Sequence, residues 1–201
     1  MCTDKRQLIL DAMQDLLAEE KGAACSVSDI ARKAGIGKGS IYYYFESKEA
    51  IFDALIERTY ARIIEHCREL IGMSGADALT KFKLLLHRYQ SAVVDSSIDA
   101  YLHQPQNAAI HQKSLAKILL SLSPIIADII RQGIGEGLFR CEHPQELAEI
   151  VLSAFCFLLD PGIFRWTPEQ ILKKLQAVAD VLENTLMAPK GSFAFLYQMN
   201  T

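Results

Sequence analysis

Apolar residues recur three and four apart along nearly the whole chain, the spacing of helical faces. Leu8, Ile9, Ala12, Met13, Leu16 and Leu17 form one stripe, which predicts an amphipathic helix over residues 5–20. Val27, Ile30, Ala31 and Ala34 form a shorter one, and Ile41 with Phe45 marks a third. Ser47 is placed to cap the next helix, where Ile51, Phe52, Leu55, Tyr60, Ile63, Ile64, Cys67 and Leu70 extend the pattern for about six turns. A break is expected at Ile71-Gly72-Met73-Ser74-Gly75. Leu79, Phe82, Leu85, Leu86, Tyr89 and Val93 predict a helix over 76–95, followed by a shorter one over 96–103 that ends at Gln104-Pro105-Gln106-Asn107.

From Ile110 to Ile134 the helical pattern resumes, with Pro124 inside it. Either Ser123 caps a new helix with proline at its first position, or one helix runs through and kinks; the reading leans to the kink. Gly133, Gly135 and Gly137 then stop it. Two last helices are expected, opening at Gln145 and Pro168 and closing at Leu159 and Met187. Thr167-Pro168-Glu169-Gln170 is a strong start, with a capping threonine, proline at the first helical position and glutamine at the third. Both helices are apolar over more width than one core contact needs, so a four-helix interface built from two copies of the pair is expected. The tail from Pro189 carries Phe193, Phe195, Leu196 and Tyr197, and the pattern leaves open whether it packs. The fold class is all-α.

Residues 26–49 carry the most specific local pattern. Ser26 followed by Asp29 supplies a side-chain oxygen for an orphan amide and a carboxylate for the positive end of the dipole, so a helix begins at Val27. Gly35 stands where a left-handed residue ends it. Beyond the turn, Gly37-Lys38-Gly39-Ser40 is small and polar, which lets backbone approach something large and negatively charged. Ile41 and Phe45 share a face that packs on the first helix, leaving Lys38, Ser40, Tyr42 and Tyr43 outward. A tyrosine can lie against sugar and donate to phosphate, and lysine releases counterions, so this set suits a DNA backbone and groove. The arrangement reads as a helix-turn-helix with residues 38–45 as the recognition helix.

The run Ile-Ala-Arg-Lys-Ala-Gly-Ile-Gly-Lys-Gly-Ser-Ile-Tyr-Tyr-Tyr-Phe-Glu-Ser-Lys-Glu-Ala-Ile-Phe resembles the DNA-binding signature of the TetR family of bacterial one-component transcriptional regulators. In detail the likeness covers about the first quarter to third of the chain, with small residues, aromatics and the Ser47-Lys48 pair at the family's offsets. Ser26 stands where relatives often have threonine. The resemblance implies an N-terminal three-helix helix-turn-helix domain, residues 1–48. A long helix joins it to a helical ligand-sensing and dimerisation domain, residues 49–201. It implies DNA contacts from Lys5, Ser26, Ser28, Lys38, Gly39, Ser40, Tyr42, Tyr43 and Lys48, with Lys5 or Arg6 and Lys48 on phosphates. It also implies a small-molecule site among the middle helices. Polar residues interrupting apolar stretches mark candidates there: His87, Tyr89, Tyr101, His103 and Cys156. Gly137-Leu138-Phe139-Arg140 resembles the segment before the family's last two helices, and His143 replaces a common capping aspartate.

Charge sharpens this picture without supporting it. The net charge is −3, and residues 1–60 hold eight Lys and Arg against ten Asp and Glu, so DNA binding has to rest on placement. Lys5, Arg6, Lys38 and Lys48 are expected on the DNA side, with Asp11, Asp15, Glu19, Asp53 and Glu57 facing away. The 201 residues, half of them apolar, suffice for a sizeable core. No apolar run is long enough to span a bilayer and residues 1–20 lack a signal-peptide pattern, so a cytoplasmic, non-membrane protein is expected. Five separated cysteines give neither a disulfide framework nor a zinc finger, and the five histidines show no ligand spacing, so no metal or other cofactor is expected. Nucleotide-binding and hydrolase motifs are missing, which argues against an enzyme. The reading is a dimeric, ligand-responsive regulator, in the first instance a repressor of a palindromic operator released by a small apolar or aromatic effector. The alternative is a helical small-molecule- or partner-binding protein that has lost DNA binding.

Overall fold

The computed structural model describes residues 4–19, 24–73, 75–94 and 97–198. Among them every regular element is helical. The first helix, α1 (Lys5–Ala18), is capped by Asp4, whose carboxylate accepts from the Arg6 amide at 3.0 Å, and it buries Ile9, Leu10, Ala12, Met13, Leu16 and Leu17. Two short helices follow, α2 (Val27–Lys33) and α3 (Lys38–Tyr44), and then the long α4 (Lys48–Met73). The Ser47 hydroxyl accepts from the Ala50 amide at 3.1 Å, the cap expected there. Helix α4 ends at Met73, inside the stretch 71–75 where the break is expected; residue 74 lies outside the described residues. The apolar Ile71 in its last turn is buried.

Helix α5 (Ala78–Val94) is capped by Asp77, which takes the Thr80 amide at 2.8 Å. A short α6 (Ser97–Leu102) and a 3-10 turn (Pro105–Asn107) lead into α7 (Ala108–Gly135). Pro124 lies inside α7, which is one helix. Ser123 is no cap: it is buried, and its hydroxyl accepts from Gln145 Nε2 at 3.2 Å. Helix α7 ends in a glycine motif. Gly137 takes a positive φ of 74°, and the Gly133 carbonyl accepts from the amides of Leu138 and Phe139 at 2.8 and 3.1 Å.

Helix α8 (Pro144–Ser153) starts at His143 without a side-chain cap, as the missing aspartate implies. It gives way to a π-helical turn (Ala154–Leu158), where the pattern had implied one helix to Leu159. None of the five residues of this turn is buried, so an apolar pattern carries no sign of it. Helix α9 (Pro168–Leu186) opens on the Thr167/Gln170 capping box and closes at Met187 in the left-handed region, φ 51°. The tail packs: the buried carboxylate of Glu183 accepts from the Phe193 amide at 3.0 Å, and α10 (Phe195–Gln198) follows with Phe195 and Leu196 buried.

Compactness divides the chain into two units. One comprises Met1–Arg62 and Val93–Ser114, the other Ile63–Ala92 and Leu115–Thr201. In the first, Ile9, Leu10, Met13, Ile30, Ile41, Ile51, Phe52, Leu55 and Leu102 are fully buried. In the second, Ile129, Ile130 and Phe193 are the fully buried centre, with Phe193 set against Phe82 and Phe139 at ring distances of 5.4 and 6.0 Å.

Candidate nucleic-acid interface

The first unit builds an exposed helix on a rigid base. Ser26 and Asp29 form a reciprocal cap on α2: the Asp29 amide donates to Ser26 Oγ at 3.2 Å, and the Ser26 amide donates to Asp29 Oδ2 at 2.9 Å. Gly35 adopts φ +67°, and the Ile36 amide reaches back to the Ala31 carbonyl at 3.0 Å, which turns the chain into α3. In α3, Ile41 is buried, and Phe45 at its C-cap is buried too. With those two anchored, the other faces of α3 are left to solvent: Tyr42 is 52% exposed and Tyr43 83%. Neighbouring on one short helix, the two rings present an aromatic surface with hydroxyl tips to solvent.

The surrounding side chains have definite places. Lys38 and Gly39 are exposed and Ser40 half-buried in the first turn of α3. Lys5 is exposed at the start of α1, and Ser28 in the first turn of α2. Ser26 is exposed as well, although its hydroxyl is engaged by Asp29 Oδ2 at 2.7 Å. The Arg6 guanidinium lies 5.3 Å above the Phe45 ring and the Lys48 ammonium 5.6 Å above the Phe52 ring, both within cation–π range. Arg6 therefore stands at the C-terminal end of α3. Tyr43 and Tyr44 meet edge to face at 5.0 Å, an ordering of the tyrosine run that sequence reading missed.

The acids of α1 are engaged by cations of neighbouring helices. Arg58 reaches Asp11 at 2.6 Å, Gln7 at 3.0 Å and Gln14 at 3.1 Å. Lys33 reaches Glu19 at 2.7 Å and Asp15 at 3.8 Å, and the Glu19 carboxylate holds the Lys33 ammonium above its ordinary pKa. Glu49, in the first turn of α4, is held below the usual carboxylate range by its own backbone amide and by the Ser47 hydroxyl.

The five candidates for a small-molecule site are distributed over both units. Tyr101 is buried in the first, its ring stacked on Phe52 at 3.9 Å and 3°. His103, half-buried, sets its ring edge to face with the buried His111 at 5.0 Å, a neighbour eight positions on that the 3-10 turn brings back. His87 is exposed and Tyr89 half-buried on α5 in the second unit. Cys156 lies in the π-helical turn, where burial, and then the Asp160 carboxylate, push its thiol up to about 11. Cys25 and Cys67 are buried, and burial raises both.

Residues 9–55 match the model for bacterial regulatory proteins of the tetR family, and residues 91–181 match the tetracyclin repressor-like C-terminal domain. The fatty acid metabolism regulator protein of Bacillus subtilis (strain 168) is 31% identical over 137 residues, 66% of this chain and 70% of its own. This chain belongs to the TetR family. Another TetR-like relative, the transcriptional repressor KstR2 of Rhodococcus jostii (strain RHA1), is 27% identical over 168 residues, covering 81% of this chain and 79% of that one. The crystal structure of RolR in complex with resorcinol shares the fold, with a TM-score of 0.66 at 16% identity over 96% of this chain and 92% of the other. As a TetR-family member the protein is a ligand-responsive, DNA-binding regulator of transcription with an all-α fold. Its relatives are regulators rather than enzymes. No helix among the described residues is long and apolar enough to cross a membrane.

Proposed function

We propose that the protein represses transcription as a homodimer, each copy laying α3 in the major groove of one half of a palindromic operator. The observation that carries this reading is the exposure of Tyr42 and Tyr43 on a helix whose other face is anchored by Ile41 and Phe45. Lys38, Ser40, Tyr42 and Tyr43 meet base edges and adjoining backbone, and Gly39 permits close approach. Lys5, Ser26, Ser28 and Lys48 meet phosphates and fix the register. Residues 1–48 are the reader, and residues 49–201 sense the effector and dimerise.

One module makes few base contacts, so a two-fold pair is needed, its half-sites about 34 to 36 Å apart or a multiple of that. Ile150 on α8 and Val181 on α9 are 66% and 53% exposed, and Leu172 and Phe157 are exposed with them, which supports these helices as the dimer surface. The effector is small and apolar or aromatic, and it acts by binding more tightly to the conformation that fits the operator poorly. The relative named for fatty acid metabolism makes acyl chains the first class to screen.

Selection of genomic fragments with the purified protein, followed by a salt titration on the enriched site, tests the reading. A short palindrome bound with a steep salt dependence is the expected result. A folded dimer that enriches no DNA, with or without acyl or phenolic compounds, would instead point to a helical small-molecule- or partner-binding protein.

A further inference from the structure

The Phe52 ring has two neighbours that sequence distance hides. The Lys48 ammonium stands 5.6 Å above it, one helical turn earlier on α4. The Tyr101 ring, some fifty residues later, stacks on it at 3.9 Å with 3° between the planes. Both rings are buried, so neither turns without displacing its neighbours. Tyr101 is itself fixed from behind. The buried Asn107 donates through Nδ2 to the Tyr101 carbonyl at 2.7 Å, the Gln104 amide donates to the same oxygen at 3.2 Å, and Ile98 and Leu102 are buried on α6, which packs on α1.

We infer that Tyr101 is a positioning residue for the DNA contact of Lys48: by stacking on Phe52 it fixes the aromatic face on which the Lys48 ammonium rests. The inference rests on the proposed phosphate role of Lys48. A lysine free to sample its rotamers pairs with a phosphate only part of the time, so both the affinity and the counterion release it contributes fall, whereas an ammonium held over a ring stands at the contact. The ring of Tyr101, not its hydroxyl, performs this function. Burial, with the Glu49 and Asp53 carboxylates next in effect, raises the phenol above its ordinary pKa, so it stays neutral and adds no charge beside Lys48. Phenylalanine therefore replaces tyrosine here without loss, and an aliphatic side chain does not.

The test is a salt titration of the full-length protein on its enriched palindrome, with Tyr101→Leu, Tyr101→Phe, Lys48→Ala and the double variant Lys48→Ala/Tyr101→Leu. Lys48→Ala lowers the salt slope by about one contact per protomer, near fivefold in affinity per half-site at 0.15 M salt. Tyr101→Leu is expected to reproduce that lowered slope, Tyr101→Phe to keep the wild-type slope, and the double variant to lose no more than either single change. A purely structural role for Tyr101 would lower the melting temperature without removing an ion from the slope. Should Tyr101→Leu lack the wild-type far-ultraviolet circular dichroism, Tyr101→Met carries the same comparison. A wild-type slope in the folded aliphatic variant, or an equal loss in Tyr101→Phe, overturns the inference and leaves the regulator reading intact. Absence of salt-dependent binding by the wild type overturns both together.

Discussion

The proposed DNA contacts divide into residues that face bases and residues that face phosphates, and their substitutions should divide the same way. Ser40 and Tyr42 are proposed to face bases, so Ser40→Ala and Tyr42→Phe are expected to change which palindromes are enriched while leaving the salt slope near wild type. Lys48→Ala is expected to weaken all sites alike and to lower the slope by about one per protomer, read by the same titration. Cys156 gives a pH expectation. Its folded thiol lies near 11 against an ordinary value of 9.0, so the stability it carries is complete below pH 9 and is lost as the pH rises toward 11. Urea unfolding at pH 8 and pH 10.5 should show a smaller alkaline loss in Cys156→Ala than in the wild type. The outward placing of Lys38, Tyr42 and Tyr43 was legible because each sits at a fixed offset from the turn at Gly35 and from the buried Ile41. The stacking of Tyr101 was not, because its partner lies about fifty residues away and periodicity carries no such information.

At the scale of elements, local chemistry set most boundaries. The caps at Ser26, Ser47 and Thr167 are where side-chain oxygens were available, and the glycine motif after α7 uses the positive φ expected of Gly137. Ser26→Ala removes one half of a reciprocal cap and is expected to cost about 1 kcal/mol in urea unfolding. Gly133 shows what pattern reading leaves out. It reads as part of a helix stop, yet it lies within α7, and a Cβ there would come 2.1 Å from Phe139 Cδ2. Gly133→Ala is expected to destabilise by about 1 to 3 kcal/mol, with part of the loss recovered by Phe139→Leu, since overpacking is relieved when the opposing ring is smaller. The single run of α7 through Pro124 is the alternative the apolar stripe favoured, whereas the π-helical turn after α8 buries none of its five residues and so left no mark in the stripe.

For the whole molecule, the exposed apolar width of α8 and α9 leads to a solution measurement. Val181→Glu is expected to yield monomers in sedimentation, and operator affinity should fall with it because half-sites are then bound singly. The all-helical class and the order of the longer helices follow from spacing, whereas α10 and membership of the compact units do not. One unit is assembled from Met1–Arg62 and Val93–Ser114, two stretches that are not adjacent in the chain. A laboratory wishing to graft the compact unit that carries the reader onto a foreign sensor thus has no single cut that keeps it whole: a graft ending at Arg62 leaves the Phe52 face without the ring that covers it. Such a chimera must import residues 93–114 as a second insert, and the spacing between the two inserts becomes a parameter of its specificity.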